Sequence, residues 1–171
     1  MTLPGITFVL GGARSGKSAY AERIAAGGVY LATAEAGDTE MEARIAQHKA
    51  RRGAGWTTVE EPLDIATVLN EHAAPERPVL VDCLTLWLSN LMASGQDWQA
   101  AVDDLVALLP KLKGPVVLVS NEVGLGVVPA NALARAFVDA AGITHQKIAH
   151  VADRVVVMTA GIPTVVKDTR R

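Results

Sequence analysis

The chain has 171 residues, enough for one domain and little more. Sixteen Lys and Arg against eighteen Asp and Glu give a formal net charge of −2, which excludes a general nucleic-acid binder with its basic excess. Half the residues are hydrophobic but only 4% are aromatic, so the expected core is aliphatic and disorder is excluded. The single cysteine, Cys83, rules out an internal disulfide or a Cys-based zinc site and fits a reducing cytoplasm. Residues 1–10 are too short an apolar stretch for a signal peptide, and the longest uncharged run, Cys83 to Gln96, falls short of the roughly 18 apolar residues of a membrane helix.

Short β-branched runs alternate with longer helical stretches. Ile6–Leu10 reads as a strand and Lys17–Ala26 as the helix after it; Val29–Thr33 is a second strand, followed by a charged helix over Thr39–Arg51 and another over Leu63–His72. Val79–Asp82 is a strand, Leu84–Met92 and Asp97–Leu109 are helices, and Val116–Ser120 is a strand. The last helix is expected over Ala130–Ile148, with Leu133, Phe137 and Ala140 or Ala141 on one buried face. Arg154–Thr159 is a strand, with Pro163–Lys167 as a final one. The apolar residues of the strands run nearly continuously, as in strands covered on both faces. No linker or repeat divides the chain. The expectation is one α/β domain over residues 1–171, a P-loop NTPase-type three-layer sandwich with a mainly parallel central sheet and helices on both faces. Ligands in such sheets bind at the carboxyl ends of the strands.

The chemistry gathers at those ends. The first strand runs into Gly11-Gly12-Ala13-Arg14-Ser15-Gly16-Lys17-Ser18, which matches G-x-x-x-x-G-K-[ST] in its strand–loop–helix setting. The glycines let backbone N–H groups turn inward around phosphate oxygens, and the following helix adds its positive end. Lys17 brings a mobile charge to the β- and γ-phosphates and the Ser18 hydroxyl can ligate Mg²⁺. Val79-Leu80-Val81-Asp82 ends in an acid suited to the same Mg²⁺; Glu122, after Val116–Ser120, is its rival, and Asp82 is favoured because no polar residue interrupts its strand. On the helix expected over Thr39–Arg51, Arg44, His48, Arg51 and Arg52 share one side. Those cations disfavour a protonated His48, and a neutral imidazole is what attack on phosphorus requires. A solvated charged surface would show the same pattern.

Four segments in order, Gly11 to Ser18, Met41-Glu42-Ala43-Arg44-Ile45-Ala46-Gln47-His48-Lys49, Asp82-Cys83-Leu84-Thr85 and Asn121-Glu122-Val123-Gly124-Leu125-Gly126-Val127-Val128-Pro129, resemble the bifunctional adenosylcobinamide kinase/adenosylcobinamide-phosphate guanylyltransferase family of cobalamin biosynthesis. The resemblance runs from Phe8 to Lys167. It implies two reactions on one scaffold: phosphorylation of adenosylcobinamide by ATP or GTP, then transfer of GMP from GTP through a histidine to adenosylcobinamide phosphate. By motif position, His48 is the residue guanylylated, and nucleotide contacts fall on Ala34, Glu35, Ala36, Arg52, Glu61 and Thr85. A homotrimer with its active site near a subunit interface is also implied. His145 stands where the family usually has asparagine. The competing expectations are a small-molecule or nucleoside kinase without guanylyl transfer and a nucleotide-regulated binding protein.

Overall fold

A computed structural model describes Leu3, residues 5–34 and residues 53–169. The helix expected over Thr39–Arg51, with Glu35, Ala36, Arg44, His48 and Arg52, lies outside the described residues.

The strands are β1 (Ile6–Gly11), β2 (Gly28–Ala32), β3 (Trp56–Glu60), β4 (Val79–Asp82), β5 (Val116–Asn121), β6 (Arg154–Thr159) and β7 (Ile162–Asp168). The described helices are α1 (Lys17–Ala25), α2 (Ile65–His72), α3 (Leu84–Ala93), α4 (Trp98–Leu108), extended by a 3-10 turn at Leu109–Lys111, and α5 (Ala132–Val151). The strands form one sheet in the order β3-β2-β4-β5-β1-β6-β7. All neighbours are parallel except β6 and β7, which are antiparallel. They join through Ala160 and Gly161, both at positive φ (51° and 81°), the backbone that a two-residue hairpin demands.

Alternate residues of each central strand enter two separate cores, which is why the strand sequences are apolar throughout. Val9, Tyr30, Leu80, Val117 and Val119 pack on the side of α1 with Tyr20, Ala21 and Ala25. Phe8, Leu31, Val81, Val116 and Leu118 pack on the other side beneath α2, α3, α4 and α5. Leu80, Val81, Val117 and Leu118 are fully buried, each such side chain being worth about 1.5–3 kcal/mol relative to exposure. The expected sandwich with helices on both faces is what forms.

Local chemistry moves the helix boundaries from those expected. Asp97 and Asn131 each accept hydrogen bonds from the second and third amides beyond them, so α4 starts at Trp98 and α5 at Ala132. Asp64 accepts from Thr67 N and sets the start of α2 at Ile65. Two expectations need correction. Trp56–Glu60 is a strand that periodicity does not reveal: it is a short, half-polar edge strand whose pairing with β2 supplies what its composition does not. Leu133 is not on the buried face of α5. It is 70% exposed, and the buried stripe consists of Ala140, Ala141, Thr144, His145 and Ile148.

Candidate nucleotide site

The loop between β1 and α1 is built as its sequence requires. Gly16 caps α1 with φ +91°, a conformation that a side chain would strain. A Cβ on Gly11 would lie 2.6 Å from Ser15 Oγ and 2.8 Å from the Met158 carbonyl oxygen, so only glycine fits. The loop is tied at its back to the β6–β7 turn, where Gly161 N donates to Ser15 O at 3.0 Å. It is tied on the other side to β5: Gly11 is level with Asn121, and Glu122 N donates to Gly11 O at 2.9 Å. Ala13 and Arg14 are exposed at the tip.

Lys17 is buried at 8% exposure and its ammonium donates to the Gly12 carbonyl at 2.9 Å. Burial pushes its pKa below the ordinary lysine value, while the Asp82 carboxylate pulls it back up. Asp82 ends β4 with its Oδ2 accepting the Tyr30 hydroxyl at 2.8 Å. Beyond it, Cys83 N donates to Thr33 Oγ1, which itself donates to Cys83 O, both at 2.8 Å. Thr85 Oγ1 sits 3.1 Å from Cys83 Sγ and accepts from Asn121 N at 3.3 Å and Nδ2 at 3.2 Å. The ends of β2, β4 and β5 are thereby laced together beside the phosphate loop. Burial raises the Cys83 thiol to about 11, so it stays protonated and serves this lacing.

Mg²⁺ fits the residues present. Among the described residues no group of three or more His, Cys, Asp or Glu side chains makes a protein-only cage. Mg²⁺ commonly needs none, taking one or two protein ligands together with waters and substrate phosphates. Asp82 and Ser18, both partly exposed, supply a carboxylate and a hydroxyl of the right hardness.

The other expected contacts are spread along the sheet. Ala34 follows β2, three strands from β1, and Glu61 follows β3, four strands away, or about 14 Å and 19 Å at ordinary strand spacing. Glu61 Oε1 accepts from Leu63 N at 2.8 Å and Asp64 N at 2.9 Å, which ties this carboxylate to the start of α2. Lys17, Ser18, Asp82 and Thr85 belong to the loop and the strand end near it; Ala34 and Glu61 do not. Sequence reading missed Tyr30 and Thr33, and gave Asn121 no role beyond its place in the family motif. Tyr30 looks like one more apolar strand residue until the β2–β4 register brings its hydroxyl to Asp82.

The segment after β5 is exposed, with Leu125 at 90%, Val127 at 95% and Val128 at 76%. Glu122 Oε1 accepts from Gly124 N at 2.7 Å and closes its first turn. Beneath it, His145 is buried on α5, with Nε2 hydrogen-bonded to Ser120 Oγ at 2.8 Å and its ring 5.7 Å from that of Phe8. Burial holds the His145 pKa below the ordinary histidine value, against an upward pull from Glu122. The unfolded chain therefore takes up a proton before the folded one does. Stability is complete above about pH 6.5 and falls as pH drops below it, until the folded imidazole also protonates. Thermal unfolding of His145→Asn across pH 7 to 5 is expected to lose less stability than wild type; equal losses would show that His145 does not control this window.

A family model described as cobinamide kinase / cobinamide phosphate guanyltransferase matches residues 7–166. The chain belongs to this family. Curated relatives agree over nearly the full length. The bifunctional adenosylcobalamin biosynthesis protein CobP of Pseudomonas aeruginosa is 52% identical over 93% of this chain and 95% of its own. The CobU proteins of Salmonella typhimurium and Escherichia coli, bearing the same bifunctional description, are 40% and 36% identical over 93% of this chain and 98% of theirs. Among solved structures, the flagellar accessory protein FlaH from Methanocaldococcus jannaschii superposes with TM-score 0.59 at 12% identity, covering 98% of this chain and 80% of that one. The P4 protein from bacteriophage phi6 in complex with ADP gives 0.55 at 16% identity, covering 94% and 53%. At those identities the likeness is one of fold alone. No helix among the described residues of this cobinamide kinase/guanyltransferase is long and apolar enough to cross a membrane.

Proposed function

We propose that both reactions of this cobinamide kinase/guanyltransferase use the one phosphate loop, with Lys17 as its cation and His48 as the covalent carrier of GMP. The observation that carries the proposal is the closed loop between β1 and α1, with the Lys17 ammonium buried against it and the Asp82 carboxylate beside that ammonium. In the kinase step, the hydroxyl oxygen of adenosylcobinamide attacks the γ-phosphorus of ATP or GTP, the β–γ bridging bond breaks, and the hydroxyl proton leaves. Lys17 and the loop amides hold the charge that accumulates on the phosphates.

In the transfer step, a nitrogen of His48 attacks the α-phosphorus of GTP, forming a P–N bond as the α–β bond breaks and pyrophosphate leaves. A phosphate oxygen of adenosylcobinamide phosphate then attacks the same phosphorus. The P–N bond breaks, which yields adenosylcobinamide-GDP and frees the imidazole. Splitting the transfer this way replaces one difficult displacement by two easier ones. Ser18 and Asp82 would hold Mg²⁺, which when bound neutralises phosphate charge. Gly11 to Gly16 and Thr85 belong to the nucleotide surface in this reading, and Ala34 and Glu61 extend it beyond β2 and β3; Glu35, Ala36 and Arg52, outside the described residues, are further contacts on the family resemblance alone.

The enzyme is read as a cytoplasmic homo-oligomer, a trimer on the family resemblance. Exposed apolar side chains at Leu125, Val127, Val128 and Leu133 fit an assembled protein. The reading is tested by supplying the purified protein with adenosylcobinamide, Mg²⁺ and GTP. Adenosylcobinamide-dependent release of GDP, and of pyrophosphate beyond the one equivalent that charges the enzyme, is expected; GDP without pyrophosphate would reduce the protein to a kinase.

A further inference from the structure

The geometry points to Tyr30 as a positioning residue that fixes the Asp82 carboxylate so that one oxygen, Oδ1, is presented to the metal. The inference rests on the reading that Asp82 holds Mg²⁺. Ala32 of β2 is level with Asp82 of β4, and Tyr30 is level with Leu80. Tyr30 and Asp82 are therefore diagonal neighbours on the same face of the sheet, the α1 side, within reach of a long side chain. The Tyr30 hydroxyl donates to Oδ2 at 2.8 Å. Such a charge-assisted bond both strengthens with burial and fixes the carboxylate's rotation.

The phenol is itself held. Tyr30 is 4% exposed, and its ring meets Trp56 of β3 nearly edge-on, with centroids 6.0 Å apart and planes at 80°. A buried hydroxyl without a partner costs free energy, so phenylalanine would suit a purely apolar position better. The hydroxyl is spent on a carboxylate whose charge acts on the phosphate-loop lysine. With Oδ2 occupied by Tyr30, Oδ1 is the remaining oxygen, on a residue that is itself partly exposed. A ligand carboxylate oriented from behind by a hydrogen bond is the arrangement by which outer-shell partners tune a metal site.

Tyr30→Phe keeps the ring and its contact with Trp56 and deletes the one oxygen. The test measures Mn²⁺ affinity by electron paramagnetic resonance on the full-length protein saturated with α,β-methylene GTP and without cobinamide, so that neither GMP nor the γ-phosphoryl group can be transferred. Tyr30→Phe is expected to weaken Mn²⁺ binding about 10-fold, the lower end of losses for outer-shell residues. Its phosphorylation of cobinamide should then need more Mg²⁺ for half-maximal rate and recover toward the wild-type rate at saturation. Asp82→Asn is expected to weaken Mn²⁺ more, and adding Tyr30→Phe to it to cost nothing further. Trp56→Phe, which alters packing around the ring but leaves the hydroxyl, is expected to leave Mn²⁺ affinity unchanged. Unchanged affinity in Tyr30→Phe beside a clear loss in Asp82→Asn would overturn the role of Tyr30 while leaving the metal reading intact. Unchanged affinity in Asp82→Asn would overturn both. An equal loss in Trp56→Phe would reduce Tyr30 to a packing residue.

Discussion

His48→Ala is expected to abolish GMP transfer to adenosylcobinamide phosphate, by on the order of 10⁴- to 10⁶-fold, the scale on which removal of a covalent nucleophile acts. Phosphorylation of adenosylcobinamide by the same variant is expected to stay near the wild-type rate. The asymmetry follows from the chemistry. In the kinase step the attacking oxygen belongs to the substrate, and the protein contributes positioning and charge from the loop. In the transfer step the attacking atom belongs to the protein, and alanine has no lone pair to offer. Arg44, Arg51 and Arg52 fall within four residues of His48 in sequence and remain in the variant, so GTP binding should survive even as transfer disappears. Separate assays of GDP release and pyrophosphate release distinguish the two losses. A proportional fall in both would show that His48 supports the nucleotide site generally and carries no GMP.

Lys17→Ala is expected to reduce both reactions, by on the order of 10²- to 10³-fold in kcat, the cost of removing one preorganised group from a site of developing charge. The ammonium that now rests on the Gly12 carbonyl at 2.9 Å is a short swing from incoming phosphates, and both reactions present a nucleoside triphosphate there. Stability should hold in the variant: Lys17 is a buried cation whose charged form is disfavoured by desolvation, and alanine begins a helix well. Lys17→Arg should not rescue activity, because a rigid planar fork cannot replace a compact ammonium in so close a space. Unimpaired GMP transfer in Lys17→Ala, with the kinase lost, would mean a second nucleotide pocket independent of the loop.

The parts of this enzyme that were legible in its sequence are those where local chemistry decides. The phosphate loop is contiguous, and each of its residues has a reason visible without the fold: glycine where a Cβ would strike Ser15 and Met158 at Gly11, lysine where the helix begins. The parallel sheet follows from strands that are apolar on both faces. Other features depend on which strands lie side by side, and no short motif encodes that order. β3 became a strand through pairing with β2, and Tyr30 gained its partner through register with β4. Leu133 keeps a helical spacing yet lies 70% exposed, because periodicity gives a helix its stripe but not where the stripe meets the core. His145 gives no local signal at all; only the fold brings it to Ser120.

The central claim, that this kinase also transfers GMP through a covalent intermediate on His48, is tested most directly by incubating the protein with α-labelled GTP and Mg²⁺ and isolating it after denaturation. Wild type is expected to retain a covalent label that is stable to base and lost in acid, as a phosphoramidate is, with one pyrophosphate released per label. His48→Ala is expected to retain none. A wild-type protein without label, or a His48→Ala protein with it, would contradict the account.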